Sequence, residues 1–361
     1  MDEATPAAGS NGDNSLVVWK ANRANNQSYH RGHYRLYGRR FDLNGSALDA
    51  TSFQIHDEAF LWNNEGLTQP TVGTLGRDYL VVWLTRFRQI SARRVLSDGT
   101  VVTNEIAIAR TGNASGQPAF ASTRRGGLVA WTSRTNNSGD IYATLLDVNG
   151  EVTGVIPVAV NSANAQHPVV ASTGKDYLVL WRELTPSGDG LLKAACVSAS
   201  GEVRPLDDLP ARFANWVTVA SNGRNYFVAW QACLGENNSS QLMGSVLNGR
   251  GKLMREGLNL AACGDEQSQP TVLASGRNFT VSWRENPYSH DASLHALTVS
   301  AHGLAKTQPS PMASEAGWSG YGTATLLGRS NVLVVLEQKT LDYYENGYLS
   351  RARGSIVSKT R

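Results

Sequence analysis

Gln69-Pro-Thr-Val-Gly-Thr-Leu-Gly-Arg-Asp-Tyr-Leu-Val-Val-Trp83 returns in altered form about every fifty residues, its closing aromatic falling at Trp19, Trp83, Trp131, Trp181, Trp230 and Trp283. Successive tryptophans stand 64, 48, 50, 49 and 53 residues apart, and one more step reaches Asn331-Val-Leu-Val-Val-Leu336, where an aliphatic side chain replaces the indole. Seven units therefore fill the 361 residues. A period of this length suits either a ring of sheets or a stack of helices, and the content of one unit decides between them.

Residues 117 to 160 give the cleanest copy. Pro118-Ala-Phe-Ala-Ser122 is followed by a turn at Arg124-Arg-Gly126 and by Gly127-Leu-Val-Ala-Trp131; then come Ile141-Tyr-Ala-Thr-Leu-Leu146 and Val152 to Val160, joined by Asp147-Val-Asn-Gly150. Short β-branched and aromatic runs bounded by Gly, Asn and Asp are strand and hairpin signals. The turns recur in register, at Gly76, Gly174, Gly223 and Gly276 after the first strand and at Gly45, Gly99, Gly150 and Gly303 after the third. No stretch of useful length has a helical period. Small residues at Gly38, Ala92, Ala143, Ala194, Gly244 and Ala296 in the third strands are expected to let one sheet approach the next.

The expected fold is all-β: a seven-bladed β-propeller of four-stranded antiparallel blades forming a single domain. The blades are placed at about 5–60, 69–110, 117–160, 166–209, 216–262, 269–312 and 321–358. The fourth strand of the seventh blade is left open between Ile356–Lys359 and the amino-terminal residues. The chain resembles the seven-bladed propellers, with a period near that of kelch repeats and strands like those of WD40 repeats. It most resembles the Tyr-Leu-Val-Val-Trp repeat proteins secreted by bacteria. It lacks the Gly-His and Trp-Asp pairs of WD40 units, the paired glycines of kelch and the Asp-box of sialidases, so the resemblance implies architecture and no activity.

Composition narrows the classes. A formal net charge of +3 with 17% charged residues gives no basic stripe of the kind that nucleic-acid binders carry. No apolar run is long enough to span a bilayer, and Met1-Asp-Glu carries no signal peptide. A secreted, periplasmic or cell-surface monomer, its leader absent from this chain, is the expectation, with a cytosolic location as the other explanation of that start. Cys233 and Cys263 fall in loops of blade five on one face and could pair as a disulfide or remain thiols, while Cys196 in a third strand reads as a small buried hydrophobe.

The loops after second and fourth strands vary from blade to blade, which marks their face as the binding face. Blade one contributes Tyr29, His30, His33, Tyr34 and Arg35, with Trp62 on its exit loop; blade six contributes Tyr288, His290 and Trp318, and blade seven Tyr343 and Tyr344. Rings with hydrogen-bonding groups suit a glycan or a protein partner, and loop packing accounts for any one of them equally well. The residues preceding the first-strand prolines or standing at the equivalent position, Gln69, Gln117, His167, Trp216 and Gln269, are expected at the channel mouth, either binding a small ligand or satisfying backbone groups. On the other face, Arg77, Arg125, Lys175, Arg224, Arg277 and Arg329 recur in the first turns, as a basic ring or as solvated hairpin residues.

No nucleotide-binding, nucleophile-elbow or zinc motif is present, so neither a cofactor nor a metal is expected. Carboxylates remain as catalytic candidates, namely Asp57, Glu58, Glu65, Asp265, Glu266, Asp291, Glu315, Asp342 and Glu345. The expected function is a non-enzymatic propeller that recognises a glycan or protein through blades one, six and seven. The alternative is a carbohydrate-active hydrolase or lyase using two loop carboxylates.

Overall fold

A computed structural model describes residues 2–358, apart from 25–30, 62–69, 136–137, 162–163, 186–189, 212–213, 235–238, 262–266, 286–292, 315–318, 328–330 and 343–346. Every named element is a strand. Blade 1 comprises β1 (Asp2–Ser10), β2 (Ser15–Ala24), β3 (Arg31–Phe41) and β4 (Phe53–Leu61), and blade 2 comprises β5 (Thr71–Leu75), β6 (Asp78–Leu84), β7 (Ile90–Val95) and β8 (Ile106–Ala109). Blade 3 is β9 (Ala114–Thr123), β10 (Gly126–Thr135), β11 (Ser138–Leu146) and β12 (Val152–Ala159). Blade 4 is β13 (Ala165–Ser172), β14 (Tyr177–Leu184), β15 (Gly190–Val197) and β16 (Val203–Pro205). Blade 5 is β17 (Ala214–Ser221), β18 (Asn225–Leu234), β19 (Ser239–Asn248) and β20 (Leu253–Asn259). Blade 6 is β21 (Gln267–Ser275), β22 (Asn278–Glu285), β23 (Ser293–Val299) and β24 (Ser310–Ser314). A last sheet holds β25 (Ser319–Leu327), β26 (Asn331–Asp342) and β27 (Gly347–Ser358).

Each sheet is an antiparallel meander in chain order. The architecture is thus a β-propeller of four-stranded blades, but there are six such blades and not the seven expected. The seventh unit is a three-stranded sheet. Its third strand explains the difference: β27 pairs with β26 without interruption from Asp342↔Gly347 to Asn331↔Ser358, so Ile356 and its neighbours extend the third strand and do not turn back as a fourth. Two compact units are distinguishable: residues 1–117 with 316–361, and residues 118–315. Within the first, β1 packs against β5 and against β25, β26 and β27; within the second, inner strands β13, β17 and β21 pack in succession.

The repeated Tyr-Leu-Val-Val-Trp run forms the second strand, and both of its faces are covered. In blade 4, Tyr177, Val179 and Trp181 pack with Leu128, Ala130 and Ile141 of blade 3. The alternate residues Leu178 and Leu180 pack with Tyr226, Val228 and Trp230 of blade 5. Phe227 and Ala229 then meet Phe279, Val281 and Trp283 of blade 6. In the first unit, Tyr79, Val81 and Trp83 pack in the same way on Leu16 and Val18. Side chains alternate across a strand, so a strand sandwiched between two sheets must be apolar at every position.

Polar groups at the end of that run reinforce the packing. The Tyr79 hydroxyl lies 2.8 Å from the Asn14 carbonyl and 2.6 Å from Asn14 Oδ1 in the preceding blade, and the Tyr177 hydroxyl lies 3.4 Å from Thr123 Oγ1. Burial pushes the Tyr226 phenol up to about 12. The glycines among the small third-strand residues answer to a different neighbour from the one expected. A Cβ on Gly244 would lie 2.9 Å from the Phe227 ring and 3.1 Å from Leu260, both in its own blade, and one on Gly38 would meet Phe53 and Ile55 likewise. Side chains of the same sheet fold over these positions.

Blade 2 has Ser91 opposite Trp83, where blades 1, 3 and 6 place a ring beside theirs. The vacated space is taken by His56 of β4, whose imidazole lies 4.7 Å from the Trp83 ring centre. His56 Nδ1 is 3.4 Å from Glu105 and Arg93 is 3.6 Å from the same carboxylate. The hydrogen bond with His56 holds the Glu105 carboxyl below its ordinary 4.5, against the opposing effect of burial.

Two predictions follow from this packing. Trp83 has no exposed surface and Trp216 is 47% exposed; Trp83→Ala is expected to cost roughly 3–5 kcal/mol and Trp216→Ala less than about 1 kcal/mol in denaturant unfolding. Because the folded Glu105 pKa is depressed, its stabilisation is complete above the unfolded value and vanishes as pH falls through the folded one. Glu105→Gln should therefore lower the Tm at about pH 7 and leave it near wild type at about pH 3.

Candidate functional site at the inner-strand bulges

The loop cluster anticipated from sequence falls mostly outside the described residues: Tyr29, His30, Trp62, Tyr288, His290, Trp318, Tyr343 and Tyr344 all lie there, as do Gln69 and Cys263. His33, Tyr34 and Arg35 lie within β3 and not in a loop, and Asp57 and Glu58 lie within β4 and not in an exit loop, because the two strands stay paired from Gly38↔Phe53 to Arg31↔Leu61 with one register shift between Leu36 and Tyr37. Arg35 sits opposite Asp57 and bonds it at 2.9 Å, which raises the guanidinium pKa and occupies one of the candidate carboxylates. Cys233 is on β18 opposite Ser240. Burial raises the Cys196 thiol pKa, as befits a packed and unreactive residue.

The proline-preceding residues define a different feature. In β13, Gln166 pairs with Arg182 and Val169 with Leu180, so three steps on one strand match two on the other and one residue is extra. The same one-residue bulge occurs between Asn215 and Thr218, between Ser268 and Thr271, between Ala4 and Ala7 and between Ser319 and Gly322. At three of these bulges a non-glycine residue takes the left-handed conformation: His167 at φ 53°, Trp216 at 48° and Gln269 at 52°. Such a backbone is uncommon and costly for bulky side chains, and a bulge of this kind re-aims the side chain that it carries. These three therefore stand at equivalent positions on the consecutively packed strands β13, β17 and β21.

Their settings differ. Gln117, the corresponding residue of blade 3, follows Gly116, which takes the positive φ instead, and its amide donates at 3.3 Å to the Pro70 carbonyl and the Thr71 hydroxyl. That glutamine satisfies its neighbours. Gln269 Oε1, by contrast, is enclosed without a hydrogen-bond partner among the described residues. Trp216 is 47% exposed.

His167 has the most distinctive surroundings. Its imidazole reaches solvent although protein mass surrounds it. That enclosure, and then the positive charges of Arg182 and Arg134, push its pKa below the ordinary 6.5. Arg134 Nη2 lies 3.4 Å from Gln166 Oε1, tying β10 of blade 3 to the residue beside the bulge. Arg182 stands opposite Gln166, and Gly190 on the next strand leaves it room, since a Cβ there would collide with Arg182 Nε. The approach to His167 also contains Asn161 at φ 56° and Asn164 at 54°, both left-handed like His167 itself. Asp140 anchors this segment by accepting the Asn161 amide at 3.0 Å.

The groups at this junction are suited to an anion beside an imidazole whose pKa is lowered. Two guanidiniums and an amide are suited to a carboxylate, the neutral imidazole can accept a proton, and Trp216 offers an apolar face to a ring. No cluster of three metal-ligating side chains occurs among the described residues. Sequence reading found His167, Trp216 and Gln269 but missed Arg182 and Arg134. Their signal was available, for Arg182 directly follows the apolar run that ends at Trp181 and Arg134 lies three residues beyond the corresponding Trp131.

No family model and no curated protein matches the chain. Among solved structures, it is similar to one titled as the polysaccharide lyase Uly1, with a TM-score of 0.57 and 10% identity over 95% of this chain and 88% of that one. A looser likeness, with a TM-score of 0.39 and 12% identity, is to the catalytic domain of a GH62 α-L-arabinofuranosidase of Coprinopsis cinerea, covering 68% of this chain and 90% of that one. At such identity the first likeness is one of fold.

His167 should titrate below 6.5 in an NMR experiment on the native protein, the ordinary value being 6.5. Arg182→Gln should move the midpoint upward only part of the way, since enclosure is the larger cause. A native midpoint at or above the ordinary value would remove the base from the site.

Proposed function

We propose that this protein acts on an acidic glycan, as a lyase that cleaves a uronate-containing chain by β-elimination at the junction of blades 3 and 4. The placing of the His167 imidazole on a strained bulge, with Arg182 opposite its neighbour Gln166 and Arg134 bonded to that same glutamine, is the observation that carries this reading. A structural neighbour titled as a polysaccharide lyase supports the class of activity, and the residues supply the mechanism.

Arg182 and Arg134 would pair with the uronate carboxylate and disperse the charge that develops when the adjacent C5 proton is removed. His167 accepts that proton as the C5–H bond breaks. The C5 electron pair forms the C4=C5 double bond, and the C4–O bond breaks. The departing oxygen takes a proton from the imidazolium just formed. A base whose pKa lies under that of free histidine is already unprotonated at neutral pH. Trp216 would support a neighbouring sugar ring on its apolar face. Polymers of this kind lie outside the cell, which is where this function would place the protein.

Incubation with a panel of polyuronates should generate the ultraviolet absorbance of an unsaturated uronate. His167→Asn, which keeps a side chain tolerant of the left-handed backbone, should lower kcat by roughly 10²–10⁴-fold with little change in Tm. Equal turnover in that variant would refute the assignment. Should no polyuronate be cleaved while affinity electrophoresis shows retention that depends on Trp216, a binding propeller without turnover becomes the better description.

A further inference from the structure

The bulges occupy the starts of the inner strands, and the hairpins at their other ends carry a second pattern. In the unit formed by blades 3 to 6, the turns between first and second strands present Arg124 and Arg125, Lys175, Arg224 and Arg277, all exposed. Asp176 is the one carboxylate in these four turns. None of the five cationic side chains has a hydrogen-bond or ion-pair partner among the described residues, whereas Arg40, Arg94 and Lys193 elsewhere are each bonded to a carboxylate within 2.7 Å. The outer turns of the same end are mixed in sign, with Asp147, Glu151 and Glu202 against Arg250 and Lys252. Positive charge is thus concentrated along the inner hairpins.

These hairpins are held firmly. Gly174, Gly223 and Gly276 have φ of 89°, 84° and 59° with open space where a Cβ would stand, so they serve the turn and not the packing. Asn222 Nδ2 donates at 2.8 Å to the carbonyl of Arg277 in the next blade, and the same side chain caps its own turn by accepting the Arg224 amide at 3.0 Å. The Tyr177 hydroxyl links blade 4 to Thr123 beside the blade 3 turn. Packed sheets stand about 10 Å apart, so successive hairpins present charge at a fixed interval of that order. Turns fixed in this way hold the backbone of the row in place while its cationic side chains order on binding, and it is counterion release from a linear polyanion that favours the complex.

We propose that this row is a second glycan site, which holds an acidic polysaccharide at the end of the inner strands opposite His167. The inference rests on the acidic-glycan reading for the identity of the polymer, and its recognition is by charge and not by sugar-specific contacts. From the bulge to the hairpin is some five strand residues, about 16 Å, so the two sites can be tested separately.

Affinity electrophoresis through gels containing alginate provides the test, with wild type, His167→Asn and a variant combining Arg125→Ser, Lys175→Ser, Arg224→Ser and Arg277→Ser. Wild type should be retarded, increasingly so as salt is lowered. The fourfold variant should bind at least about tenfold more weakly while its Tm and its turnover of short uronate oligosaccharides stay near wild type. His167→Asn should lose turnover and keep its retardation. Unretarded wild type, or equal retardation of the fourfold variant, overturns the hairpin site and leaves the lyase proposal standing. Retention of wild type by duplex DNA as strong as by alginate at the same salt overturns the assignment of the row to glycans.

Discussion

The structure depends on a strand that is apolar on both faces and has a sheet against each. Tyr177, Val179 and Trp181 belong to one inter-blade core while Leu178 and Leu180 belong to the next, so β14 ties two interfaces together, as β18 does in the following blade. A single sheet could not bury both surfaces, and neighbours are therefore required. The tryptophans Trp83, Trp131, Trp230 and Trp283 are among the largest fully buried side chains, and in blades 2 and 4 the tyrosine opening the run places its hydroxyl at the first turn of the preceding blade. Strand, blade and inter-blade contact thus follow from the same five residues.

That repetition is why the fold was legible. Runs apolar at consecutive positions, glycines at fixed offsets and tryptophans at a near-constant period all report constraints imposed on every unit alike. The last unit was harder to read because its closing residues, Gly347 to Ser358, have no turn signal strong enough to divide a long strand from a short hairpin, and the chain continues the ladder with β26. Blade 1 misled in a related way. Polar residues such as Arg35 and Asp57 suggested loops, but cross-strand pairing makes them partners within the sheet. The candidate site was half visible. His167, Trp216 and Gln269 were found by alignment to the prolines, but the bulge that sets their direction, and the convergence of Arg134 and Arg182 from two different blades, depend on tertiary register.

The two ends of the inner strands show contrasting solutions to similar geometry. At one end the chain forces bulky residues into left-handed backbone, a cost that the surrounding ladder sustains, and none of the three joins the apolar cores on either side. At the other end glycines adopt positive φ without strain and carry cations beside them. Strain accompanies the site to which chemistry is assigned, and relaxed turns accompany the site of charge alone, in keeping with the tendency of backbone outliers to gather where function is exacting.

The bulged residue has a further consequence. Since it belongs to neither of the cores that its strand helps to close, its identity is uncoupled from the frame: histidine, tryptophan and glutamine occupy the same place in three neighbouring blades with the ladder around them unchanged. The inner rim is in effect a row of interchangeable letters set in constant type. New specificities could arise there one blade at a time, by single exchanges that leave the frame intact.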